Sequence, residues 1–172
     1  MLTPQQQKWI DHLPNDDVVS IKPFDKHSEN IFLAVKRRVQ QVLGKEVQIL
    51  HCGASSLGIS GQDEIDIYIP VSEDRFDETV AQLKVLLGPP ASFYPLERAR
   101  FATNQDNKYV TVSIMNKSHR GWIDGIKFEC YLKAHPQTLK EYEKLKEDSN
   151  GTSTRSYYRK KTEFINEVLN KE

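Results

Sequence analysis

Alternation of apolar and polar residues picks out two strands. In Asp63-Glu64-Ile65-Asp66-Ile67-Tyr68-Ile69-Pro70 two acids stand two positions apart in otherwise apolar company, and Lys108 to Met115 is the clearest alternating run in the chain. The apolar-rich run Val47 to Cys52 reads as a strand leading into a turn, Ser92 to Thr103 as a strand pairing with 108–115 across Asn104-Gln105-Asp106-Asn107, and Val18 to Lys22 as a short strand or extended entry. Elsewhere the period is helical. Ile31, Val35, Val39 and Val42 form one stripe closed by Gly44, and Phe76, Val80, Leu83 and Leu87 form another ended by Gly88-Pro89-Pro90. Trp122, Ile123, Ile126 and Phe128 begin a helix that carries Tyr131 and Leu132 to the His135-Pro136 break; Leu139, Tyr142 and Leu145 continue the stripe. A polar loop at 148–153 precedes a closing helix with Phe164, Ile165, Val168 and Leu169. At the N-terminus, Thr3 as cap and Pro4 at the first position start a short helix with Trp9, Ile10 and Leu13, stopped by Pro14-Asn15-Asp16-Asp17. The expectation is an α+β fold, with residues 1–17 a helical extension and 18–172 one compact domain.

Composition narrows the partners. Lys+Arg and Asp+Glu both number 24, so no global field advertises nucleic acid, and the expected ligand is small. A basic helical face at Lys36, Arg37 and Arg38 reads as a solvated surface, with a phosphate or tRNA-like nucleic-acid partner as the alternative. The two cysteines, Cys52 and Cys130, lie in apolar runs without a paired spacing, as expected of reduced thiols in a cytoplasmic protein. No run approaches the roughly 20 apolar residues of a membrane span, and the N-terminus lacks a charged-then-apolar leader.

The chemistry lies at the turn and the acid strand. Glu64 and Asp66 share one strand face, a pair suited to holding a hard cation such as Mg²⁺. Before them, Gly53 allows a close backbone approach, and Ser55 and Ser56 add hydroxyls fit for phosphate oxygens. Arg98 and Arg100 share a face on the strand that pairs with 108–115, as a solvated face or as a phosphate clamp. His51, just ahead of the turn, either touches ligand or caps the strand; Glu129 is a third acid only if its helix faces the same cleft.

His51-Cys52-Gly53-Ala54-Ser55-Ser56-Leu57-Gly58-Ile59 ahead of Ile65-Asp66-Ile67, with Phe128-Glu129-Cys130-Tyr131-Leu132, Tyr142-Glu143-Lys144-Leu145-Lys146 and Lys161-Thr162-Glu163-Phe164-Ile165, resembles the GrpB family, a branch of the polymerase-beta-like nucleotidyltransferase superfamily. The resemblance spans about residues 18 to 170. It implies a mixed sheet with helices packed on one face and Mg²⁺-dependent transfer of a nucleotidyl group from a nucleoside triphosphate to a small hydroxyl-bearing acceptor. Glu64 and Asp66 would be the metal ligands, with His51, Gly53, Ser55, Ser56, Arg98 and Arg100 at the nucleotide. The chain departs from the family pattern at Ala54, in place of a Ser, at Gln62, in place of a Lys, and at Cys130, in place of an Asp. It also lacks the Pro of the turn and both histidines near Val110-Thr111-Val112. These departures keep open a second reading, a nucleotide- or cofactor-binding module of the same fold that has lost catalysis.

Overall fold

A computed structural model describes residues 1–171. The elements in order are α1 (Pro4–Asp11), α2 (Ser28–Leu43), β1 (Leu50–Cys52), α3 (Gly53–Leu57), β2 (Glu64–Val71), α4 (Glu73–Leu87), β3 (Ser92–Tyr94), β4 (Arg98–Gln105), β5 (Lys108–Asn116), α5 (Arg120–Ala134), α6 (Pro136–Asp148) and α7 (Thr154–Leu169). The strands form one sheet in the order β1-β2-β5-β4-β3, with β2 and β5 parallel and every other pairing antiparallel. The fold is therefore α+β on a mixed sheet.

Alternation decides which face is core. In β2, Ile65, Ile67, Ile69 and Val71 are buried against Val35, Val39, Phe76 and Leu83 of α2 and α4, joined by Phe101 of β4 and Val112 of β5. Each such side chain contributes about 1.5–3 kcal/mol of transfer free energy on burial, so this face anchors the sheet. The opposite face is left to Glu64, Asp66 and Tyr68. A second apolar cluster, Ile59, Phe128, Leu132, Tyr142 and Val168, joins α5, α6 and α7 beside α3, with the Phe128 and Tyr142 rings edge to face at 5.2 Å. Two apolar clusters thus flank a polar sheet face.

Local signals held at most helix ends. Thr3 and Gln6 close a capping box at α1, and α1 docks on α7 through Trp9 against Tyr158 at 5.5 Å and Arg155 donating to the Leu13 carbonyl. Asp106 and Asn107 both take positive φ, the backbone of a two-residue β4–β5 hairpin turn. One open reading is settled and two expectations change. Of its two open forms, Val18 to Lys22 takes the extended entry and not a strand of the sheet: Val18 bridges Ser153 in the α6–α7 connection and Lys22 bridges Gly61 between α3 and β2. The Val47–Cys52 strand shortens to Leu50–Cys52, which pairs with Tyr68 to Asp66 of β2. The small-residue loop after it coils into α3, a five-residue helix ended by Gly58 at φ 70°. Among the described residues no helix is long and apolar enough to cross a membrane.

Candidate functional site

Glu64 and Asp66 lie on the sheet face turned away from α2 and α4, as their spacing requires. Asp66 stands opposite Cys52 on β1 and Thr111 on β5, and its carboxylate accepts the Thr111 hydroxyl at 2.7 Å. Burial, and then the charge of Asp66, hold the Glu64 carboxyl above its ordinary value. Two crowded carboxylates gain from a shared cation. Their oxygens are hard ligands of the kind Mg²⁺ takes while keeping other positions for water and phosphate, so the pair fits a cation held by two protein ligands.

Gly53 is fixed by that acid. Its φ is +75°, and a Cβ built there would lie 2.5 Å from Asp66 Oδ2. Only glycine lets the turn come this close to the carboxylate. The Gly53 N–H, however, donates to Glu129 at 3.3 Å, and the Ser56 hydroxyl donates to the same carboxylate at 3.1 Å. Lys133 completes the set at 2.8 Å, and Glu129 is buried. The α5 helix thus does turn Glu129 into the cleft. Its carboxylate engages the turn and Lys133, and among the described residues no three His, Cys, Asp or Glu side chains gather as a metal-holding group. Burial, reinforced by Glu129, pushes the Cys52 thiol upward, so it stays protonated.

The structure turns His51 away from the acids, whereas Ser55 lines one cavity with Glu64. His51 pairs with Ile67 in the sheet register and so faces α2, where it stacks on Phe32 at 4.7 Å between ring centroids. Its ring nitrogens lie 3.0 Å from Glu29 Oε2 and 3.0 Å from Ser55 Oγ. Together His51 and Ser55 brace the turn.

Two cations missed in the sequence lie within electrostatic reach of the acid pair. Lys146 of α6 is 4% exposed, with Nζ 3.3 Å from the Tyr157 hydroxyl and 4.8 Å from the Tyr142 ring centroid. Burial, and then the neighbouring charge of Lys161, pull its pKa down to about 7, against the attraction of Asp66 and Glu64. Lys161 of α7 lies 5.8 and 5.3 Å from the Tyr157 and Tyr158 ring centroids. Tyr142, followed by Tyr157, Tyr158 and Asp66, holds Lys161 well above the ordinary lysine value despite burial. Each lysine sits four residues after a buried tyrosine, Tyr142 or Tyr157, in phase with an apolar stripe. That phase was the available signal.

Lys146 predicts a pH effect. Its folded pKa is below its unfolded value, so between about pH 7 and the ordinary lysine range the unfolded chain binds more protons and Lys146's contribution to stability rises with pH. Lys146→Met should flatten that rise, each pKa unit being worth about 1.4 kcal/mol. Urea unfolding at pH 7 and pH 9.5 on both proteins checks it; an unchanged slope would place the lysine in water.

Arg98 and Arg100 also lie on the Asp66 face. Arg100 stands opposite Ser113, which is opposite Tyr68; Arg98 stands opposite Met115, which is opposite Pro70.

An α+β domain with a paired-acid strand, a glycine turn pressed against it and lysines within electrostatic reach of the acids is the class of protein defined here. The sequence profile of the GrpB protein family matches residues 18–171, and the chain belongs to that family. It is 28% identical over 162 residues to the glutamate-rich protein GrpB of Alkalihalophilus pseudofirmus, with 84% of this chain and 91% of that protein covered. Among solved structures, a conserved GrpB protein of Enterococcus faecalis superposes with a TM-score of 0.65 at 16% identity, covering 88% of this chain and 98% of that one. The RNA terminal uridylyl transferase Cid1 aligns more loosely, with a TM-score of 0.47 at 11% identity over 82% of this chain and 46% of its own.

Proposed function

We propose that the cleft takes a nucleoside triphosphate with Mg²⁺ and transfers its nucleotidyl group to the hydroxyl of a small acceptor. The observation that carries the reading is the acid pair Glu64 and Asp66 on one strand face with Gly53 pressed against Asp66, carboxylates placed for a cation, with the ammonium groups of Lys146 and Lys161 within electrostatic reach for phosphates. Glu64 and Asp66 would hold Mg²⁺, which when bound supplies charge neutralisation at the phosphates. Lys161, and Lys146 once protonated, bind the polyphosphate and stabilise negative charge on departing pyrophosphate. Gly53 sets the depth at which the nucleotide meets Asp66, and His51 and Ser55 hold the turn that carries Gly53. The acceptor oxygen forms a bond to the α-phosphorus, the bond to pyrophosphate breaks, and the hydroxyl proton passes to solvent. Catalysis then rests on positioning and electrostatics rather than on a covalent intermediate.

Glu129 favours a second reading, nucleotide binding without transfer. A third carboxylate beside the other two would help activate the attacking hydroxyl, and this one is instead bonded to Gly53, Ser56 and Lys133. Glu64→Gln separates the two. In a transferase it should cut pyrophosphate release by about a hundredfold or more, the loss of roughly 3 kcal/mol of transition-state stabilisation. In a binding module it should cost only modest affinity. Wild-type protein that binds nucleotide yet releases no pyrophosphate across a broad panel of hydroxyl acceptors would overturn the transferase and leave the module.

A further inference from the structure

Arg98 and Arg100 are two residues apart on β4, so their side chains leave the sheet on the same side as Asp66. Asp66's own row crosses β5 at Thr111 and reaches β4 at Ala102. From strand spacing and rise, the Cα atoms of Arg100 and Arg98 stand roughly 12 and 17 Å from that of Asp66. Arg98 therefore stands toward the far end of the face, while Arg100 reaches back close enough for its charge to act on the Glu64 carboxyl. Tyr68 lies between, with Trp122 of α5 edge-on to it at 6.3 Å.

Neither guanidinium pairs with a carboxylate or donates a hydrogen bond to the chain among the described residues, and the Nε of each is buried with no acceptor. Arg98 is steadied by the Tyr94 ring, 5.3 Å from its Cζ. Two forks held side by side without a counter-ion match an oxyanion. A single guanidinium already saturates the two oxygens of a carboxylate, whereas a terminal phosphate offers three oxygens and nearly two charges at neutral pH.

We propose that Arg98 and Arg100 form the acceptor's binding site, and that the acceptor is a small phosphate monoester whose hydroxyl points back along the sheet face toward the acid pair. The assignment rests on the transfer reading above. Arg98 sets the acceptor's phosphate apart from the nucleotide's own, which Lys146 and Lys161 would take beside Glu64 and Asp66, with Arg100 between the two. The gap along the face suits a molecule with its hydroxyl at one end and its phosphate at the other.

The arginine Nε–Hε resonances of the full chain report directly. Millimolar inorganic phosphate should move both signals without Mg²⁺, in wild-type protein and equally in Asp66→Asn, and acetate should move them much less. Arg98→Lys and Arg100→Lys, which keep the charge and lose the fork, should weaken the phosphate response at the remaining arginine by tenfold or more, with an unchanged melting temperature as the check on folding. Saturating nucleoside triphosphate with Mg²⁺ should leave the response in place. Silence of both signals, an acetate effect as large as that of phosphate, or loss of the response when nucleotide is added would each overturn the acceptor site, the last because the arginines would then be holding the nucleotide. If instead no nucleotide binds the wild-type protein while phosphate moves both signals, the transfer reading falls and the anion site stands.

Discussion

Asp66→Asn should abolish the rise in melting temperature that a nucleoside triphosphate gives with Mg²⁺, while the unliganded melting temperature stays close to wild type. The asparagine oxygen can still accept the Thr111 hydroxyl that the carboxylate accepts at 2.7 Å, so the strand register has no reason to change. What is lost is charge. One of two carboxylates goes, and Glu64, already crowded by burial and by Asp66, is left alone to hold a divalent cation. At a hundredfold excess over Kd, a ligand that binds only the folded chain adds about 2.7 kcal/mol, which for a domain of this size is a shift of roughly 5–10 °C. That whole shift should vanish. Nucleotide binding with unchanged metal dependence in Asp66→Asn would put the site elsewhere.

Gly53→Val should lose the nucleotide response more completely than it loses stability. The new side chain meets two obstacles at once: a φ of +75°, and a carboxylate oxygen 2.5 Å from where its Cβ must sit. The backbone cost is about 1–3 kcal/mol, which a folded domain tolerates; the second obstacle displaces Asp66 from the cleft. Gly88→Ala supplies the control. Its φ of +78° is positive too, with no atom within 4 Å of the new Cβ. Chemical denaturation beside nucleotide thermal shifts should show Gly88→Ala losing stability alone and Gly53→Val losing both, with the ligand response gone. Parallel losses at Gly53 would confine the glycine to packing.

Much of this was legible in the chain because it depended on period. Ile65, Ile67 and Ile69 could be buried together only if Glu64 and Asp66 faced the other way, and Arg98 and Arg100 followed the same rule on β4. Register was less legible. Leu50, His51 and Cys52 form too short a run for alternation to say which residue joins Asp66, and the pairing selects Cys52, turning His51 to the far side. Lys146 and Lys161 come from helices distant in sequence, and a lysine in phase with an apolar stripe declares itself only when another element buries it. Glu129 was visible as an acid on a helix. That it would bond the Gly53 amide depended on how α5 docks beside α3, which no local pattern encodes.

The central claim is that Glu64, Asp66, Lys146 and Lys161 form one site for a metal–polyphosphate ligand. Calorimetric titration of the wild-type chain with each of the four ribonucleoside triphosphates, with Mg²⁺ and with chelator in its place, tests it most directly. At least one triphosphate should bind with Mg²⁺ and at least tenfold more weakly without it, taking up protons at pH 8 as Lys146 is recharged by the bound phosphates. Binding of every triphosphate that is absent at millimolar concentration, or equally tight in chelator, would contradict the claim.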